Sequence, residues 1–278
     1  MIDPRHKLWL AFAGAVLALA PRHADAATLK AEYAISLIGL PLATATVVSS
    51  IEGTTYKTEV QARTTGLAGV VASGNGAATA AGSLAGLQPL PESFVLTSRS
   101  SKGPMTVHMA LVQGNVAEVD IVPPLEPRPD RVPLLEAHKR GVIDPVSALL
   151  LPVHGKGDLI SPASCNRTIP VFDGASRFDI ILSFVESRRA DIAGYRGPVI
   201  VCNVRYVPLS GHRPERPGTK FMMGNRDISV WLAPVEGMRV LAPVRISLMT
   251  MIGTSIAEAT RFGLERAPRG SLPPAPRD

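Results

Sequence analysis

The chain is short of aromatic side chains: Phe, Trp and Tyr make up 5% of its 278 residues. A core with so few rings has to be assembled from Val, Ile, Leu, Met and Ala. An outer-membrane barrel carries girdles of aromatic residues, so the scarcity argues against that reading. Cysteine is scarcer still, with Cys165 and Cys202 alone. No CxxC pair or Cys/His cluster accompanies them, which argues against a zinc site or a redox motif. Long apolar runs are lacking too. The run at residues 8–20 is unbroken, but a helix needs about 20 residues to cross ~30 Å of hydrocarbon. Past it no stretch is apolar for long enough to span.

Catalytic signatures are also missing. Gly82-Ser83-Leu84-Ala85-Gly86 has the wrong spacing for a nucleophile elbow. Gly155-Lys156-Gly157 leads to Ile160 and no helical pattern, so it is not a phosphate-binding loop. There is no HExxH, and His108, His138, His154 and His212 stand far apart in the sequence. Asp173 and Asp179 could pair as acid and base, yet Asp173-Gly174 reads better as a turn. These absences point away from an enzyme and from any cofactor or metal. An envelope hydrolase stays open as the alternative, because catalytic groups can converge only in the fold.

The N-terminus has the three parts of an export signal. Arg5, His6 and Lys7 make a positive start, residues 8–20 an apolar middle, and Ala24-Asp25-Ala26 a small-residue cleavage site. The expected mature chain begins near Ala27, in the periplasm, as a soluble protein. Removing residues 1–26 takes away Arg5, Lys7 and Arg22 against Asp3 and Asp25, which lowers the formal charge from +6 to +5. Scattered arginines of this kind are compatible with anionic lipid or glycan surfaces. Nucleic acid is a poor partner for an exported chain without stacked aromatics. In an oxidising compartment Cys165 and Cys202 are expected to pair, closing a loop worth about 4 kcal/mol in the chain-entropy model.

Period-2 alternation runs through the rest. Tyr56, Thr58 and Val60 face one way, as do Met105, Val107, Met109 and Leu111, and again Phe178, Ile180, Leu182 and Phe184. Further strands are expected near 30–37, 43–50, 115–122, 198–207, 227–233, 243–251 and 255–262. Turn signals at Glu52-Gly53, Gln113-Gly114-Asn115 and Ile252-Gly253-Thr254 favour antiparallel hairpins. The fold class expected is all-β, mainly antiparallel, a curled sheet or open barrel-like domain over residues 27–265 with one or two short helices. One helix is expected at 144–151, capped by Asp144 with Pro145 in its first turn. A second helical turn is possible at 64–72. Residues 122–133 and 208–220 read as loops, and 266–278 as a disordered Pro-rich tail. The Ala/Gly stretch 66–86 reads as thin sheet rather than as a flap over a cavity.

Several motifs recur in a fixed order. They are Asp144-Pro145-Val146-Ser147-Ala148-Leu149, then Val171-Phe172-Asp173-Gly174 with Arg177-Phe178-Asp179. Cys202 follows with Tyr206-Val207-Pro208 and Gly211, then Trp231-Leu232 and Pro243-Val244-Arg245-Ile246. This order resembles the domain-of-unknown-function-3108 family of exported bacterial proteins, over about residues 31–262. The resemblance implies a periplasmic location and a curled antiparallel sheet. It implies no reaction and carries no catalytic or binding residue. It does imply structural roles: Asp144 as helix cap, Asp173-Gly174 as the turn into a strand, Trp231 and Arg245 on late strands. By alternation Arg245 is expected to point away from the face of Val244 and Ile246.

The function expected is a binding or structural role in the cell envelope, with a lipid or an envelope protein as partner. A curved sheet of small apolar residues can shelter an apolar ligand. Met105, Met109, Met222, Met223, Met249 and Met251 could line such a face, although methionine also replaces missing rings in a core.

Overall fold

The computed structural model describes residues 27–65, 74–84, 88–101 and 103–265. The expected export signal, most of the expected helical turn at 64–72 and the expected tail at 266–278 lie outside those residues.

Alternation produces strands wherever one face is apolar. The first seven are β1 (Ala27–Leu37), β2 (Leu40–Glu52), β3 (Thr55–Thr64), β4 (Asn75–Ser83), β5 (Leu90–Ser100), β6 (Gly103–Val112) and β7 (Asn115–Val122). Each pairs antiparallel with the next. Two-residue turns serve this meander. At the β6–β7 turn Gln113 and Gly114 both take positive φ, +50° and +76°, the geometry that matches strand twist. A two-residue strand, β8 (Leu151–Pro152), pairs with β13. A second meander follows: β9 (Arg167–Phe172), β10 (Arg177–Ile192), β11 (Tyr195–Ser210), β12 (Ile228–Pro234), β13 (Val240–Thr250) and β14 (Gly253–Glu265). Pairing of β1 with β14 joins the two meanders into one fourteen-stranded sheet that ends on β7 and β9. Two short helices punctuate it, α1 (Pro162–Cys165) and α2 (Pro217–Gly224).

The sheet does not close, but one segment lies between its two open edges. The Val142 N–H donates to the Gly114 carbonyl at the β6–β7 turn, 2.7 Å away. The Ile143 N–H donates to Pro170 C=O (2.8 Å), and the Phe172 N–H donates to Ile143 C=O (2.9 Å). That segment also separates two cores. Val142, Val146 and Leu150 pack with Leu29, Tyr56, Phe94, Val107 and Phe172. Ile143 and Leu151 pack on the other side with Ile169, Val171, Ile200 and Cys202. A third cluster of small residues, including Ala31, Ala190, Ala233 and Ala259, lies under Tyr33 and Trp231. Few rings are needed because Val, Leu, Ile and Ala carry the burial. Each fully buried large side chain contributes roughly 1.5–3 kcal/mol.

The structure departs from the sequence reading in four places. Residues 144–151 form only a 3-10 turn at Ser147–Leu149 and then the strand β8. Consecutive apolar residues there feed opposite cores, Leu150 one and Leu151 the other, and extended chain does that where a helix does not. Residues 217–224, expected as loop, form α2, with Pro217 at its first turn. β5 and β9 were not anticipated. Finally, a bulge changes β13: Trp231 pairs Arg245 while Leu232 pairs Pro243. The extra residue, Val244, turns to the third cluster while Ile246 packs on the second, so the two do not share a face. Of the Ala/Gly stretch 66–86 read as thin sheet, the described part includes β4, whose Ala78 and Ala80 lie buried against the first core; residues 66–73 and 85–86 lie outside the described residues.

Candidate functional site

Three buried polar groups meet at the joint between the meanders. Asp144 Oδ1 accepts the N–H groups of Val146 (2.8 Å) and Ser147 (2.9 Å). Asp144 Oδ2 accepts the Ser147 hydroxyl. The Ser147 and Tyr56 hydroxyls share a further hydrogen bond of 2.5 Å. Burial pushes the Asp144 carboxyl above the usual range against the pull of its donors, and burial also raises the Tyr56 hydroxyl. A hydroxyl between a carboxylate and a phenol has the residue types of a nucleophile with its base. Asp144 and Ser147 are both 0% exposed, however, so no substrate reaches the hydroxyl. The chain of hydrogen bonds fixes the joint.

The other residues singled out by sequence are structural as well. Asp173 Oδ1 accepts the N–H groups of Ala175 (2.9 Å) and Ser176 (2.7 Å), making the turn into β10. Gly174, at φ +97°, presses on Val107 across the joint. Cys165 and Cys202 form a disulfide with Cα atoms 5.7 Å apart, tying α1 to β11. On β12 the Trp231 ring lies under two guanidinium groups, Arg188 at 5.0 Å and Arg245 at 5.3 Å. Arg245 also pairs with Glu258 on β14. Pro145 follows Asp144 and is half-buried. The four histidines among the described residues sit on different elements: His108 on β6, His138 in a 3-10 turn, His154 after β8 and His212 after β11. Among the described residues no three His, Cys, Asp or Glu side chains group as metal ligands would. The methionines divide: Met109 is buried in the first core, Met222 packs on the second, and Met223 and Met251 are exposed.

Two concavities stand out among the described residues. One, of about 720 Å³, is an open trough over the ends of β2–β6. Cross-strand pairing places Gln61, Ala77 and Thr97 in one of its rows and Arg63, Asn75 and Arg99 in the next. Between those rows Ala62, Gly76, Ser98 and Met105 form another, so the trough is lined by small and polar residues together. The other, of about 600 Å³, is a cleft at the joint. Its floor is Ile143, Leu150, Leu151, Pro152 and Ile169, with Pro89 opposite. Arg167, Asn166, Thr168, His154 and Gln88 supply its polar groups.

The cleft follows from the fold. The disulfide holds α1 against β11, so the chain enters β9 at Arg167 beside the second core. β9 pairs with β10 along its whole length, but its other edge is bridged to Ile143 at Val171. Beyond that bridge, Arg167–Ile169 faces Leu150–Pro152 across open space. The Arg167 guanidinium reaches over, Nη1 donating to Pro152 C=O at 3.0 Å. Sequence reading missed this site, and the one local signal is an arginine two residues after a disulfide cysteine.

With this geometry in view, comparison with known proteins settles the lineage. The family profile described as "Protein of unknown function (DUF3108)" matches residues 32–260. The chain belongs to the DUF3108 family. No curated protein matches. Among solved structures, the chain is similar to a beta-barrel-like protein of domain of unknown function DUF1849 from Brucella abortus. The TM-score is 0.51 at 11% identity, covering 86% of this chain and 98% of that one. At that identity the likeness shows the fold. It agrees with a curled, barrel-like antiparallel sheet in this DUF3108 chain.

Proposed function

We propose that this DUF3108 protein is exported, cut after Ala26, and works in the periplasm as a non-catalytic binding protein for an apolar ligand. The cleft at the joint carries the reading. At about 600 Å³ it falls within the roughly 300–1,000 Å³ of small-molecule sites. It also has their composition, an apolar floor with a few polar groups above it. The signal-like residues 1–26 and the disulfide support export, since such bonds persist in oxidising compartments.

Native mass spectrometry of the protein, gently purified from its own cell envelope without reductant, tests this. The expected spectrum shows a chain beginning at Ala27, two hydrogens below the reduced mass, with an extra lipid-sized species that leaves on denaturation. A bare chain alone would overturn stable carriage of a ligand, and a chain retaining residues 1–26 would overturn processing.

A further inference from the structure

The chemistry of the cleft narrows what it holds. We propose that its ligand is a single-chain amphiphile with one anionic oxygen head, a carboxylate or a phosphate, and that Arg167 receives that head. This rests on the cleft being a ligand site and goes further by naming the ligand's two ends.

Three observations carry it. First, Arg167 is the one permanently charged residue among the described residues lining the cleft, and no Asp or Glu lines it. Second, its charge is unmatched. Arg177 pairs with Asp179 and Arg245 with Glu258, both within the sheet, whereas Arg167 makes no ion pair among the described residues. The Pro152 carbonyl takes one of its N–H donors, and a guanidinium has five in a planar fork matched to a carboxylate or phosphate. Burial already depresses its pKa, so an anion there would meet a poorly solvated partner. Third, the groups beside it are neutral donors. Asn166, whose Oδ1 accepts the Phe184 N–H at 2.9 Å, and Thr168 add an amide and a hydroxyl to the lining. Below this polar end lie Leu150, Leu151 and Ile169, which offer dispersion contacts and no hydrogen bonds. One charged end and one apolar end call for a ligand built the same way.

The trough over β2–β6 lacks such a floor. Its arginines, Arg63 and Arg99, stand exposed, and among the described residues no large buried apolar side chain lines it.

The test uses the exported chain, stripped of lipid on a hydrophobic resin, titrated by calorimetry with dodecanoate, dodecyl phosphate and dodecanol. The expected result is that one or both anions bind about tenfold to a hundredfold more tightly than the alcohol, as charge-assisted hydrogen bonds to a half-buried guanidinium allow. Whichever anion binds more tightly identifies the head. Arg167→Gln removes the guanidinium and is expected to erase the preference, so that anion and alcohol bind the variant alike. Ala163→Trp, which places a ring in the cleft from α1 and keeps Arg167, is expected to abolish binding of all three, and it keeps the test decisive should the Arg167 variant fail to fold. Equal affinity for anion and alcohol in the unaltered protein would overturn the role of Arg167 and leave the cleft standing as an apolar site. Failure of all three to bind would overturn the cleft itself.

Discussion

Replacing Asp144 tests whether the buried joint holds the two meanders together. Asp144→Ala removes the acceptor for the Val146 and Ser147 amides and for the Ser147 hydroxyl. The hydroxyl still has Tyr56, but two buried N–H groups are left without a partner. At about 1–3 kcal/mol each, the loss is about 4 kcal/mol. For a sheet of this size an m value of about 2–3 kcal/mol per M in urea is expected, so the midpoint falls by about 1.5–2 M. Asp144→Asn keeps Oδ1 for the two amides and is expected to cost less than half as much. The pair also reads out charge. Burial raises the Asp144 carboxyl, so its contribution is fully present below the unfolded pKa and is lost as pH rises through the folded one. Asp173 is raised by burial as well, which is why the comparison is with Asp144→Asn and not with the pH profile alone. The unaltered protein is expected to lose stability relative to Asp144→Asn as pH rises from the ordinary carboxylate range to neutrality. A loss under about 1 kcal/mol for the alanine variant would refute the joint. A slope of the opposite sign would show that the three donors outweigh burial.

Two further predictions concern the same region. Replacing Cys165 and Cys202 together by alanine opens a closure spanning 37 residues, worth about 4 kcal/mol in the chain-entropy model; calorimetry is expected to show Tm lower by about 8–15 °C, and an unchanged Tm would mean that packing alone holds α1. In Gly174→Ala the new Cβ would lie 2.5 Å from Val107 Cγ1, at φ +97°, costing about 3 kcal/mol in clash and backbone strain. In a double-mutant cycle with Val107→Ala the clash appears as a coupling of about 1 kcal/mol or more, and strict additivity would refute the contact.

How much of this could be read from sequence depended on which faces each segment buries. β3 and β7 were legible because one face is apolar and the other wet, which writes period 2 into the residues. β5 was not, since Pro91 stands at its start and a register shift opposite Gly82 breaks the alternation before Phe94. β9 was hidden for another reason: it is six residues long, contains Pro170, and buries Ile169 and Val171 on one side and Phe172 on the other. At residues 144–151 the local signals were sound, for Asp144 does take the amides of the next turn. What overrode the helix was tertiary: a segment lying between two cores must send neighbouring side chains in opposite directions.

The cleft was out of reach for a related reason. Gln88-Pro89, Leu150–Pro152 and Ala163–Ile169 come together through a disulfide and one bridge between Ile143 and Val171, and no periodicity records such a meeting. The motifs that mark the DUF3108 family sit beside it. Asp144 and Pro145 begin the partition between the cores, and Asp173-Gly174 presses on β6 from the far edge of the sheet. Trp231 and Arg245 pair across β12 and β13. These residues build and close the sheet, whereas Arg167 and the floor of the cleft lie outside the motifs, except for Ala148 and the residues adjoining them. A resemblance carried by the joint therefore reports the fold, and the proposed ligand has to be read from the residues that the joint brings together.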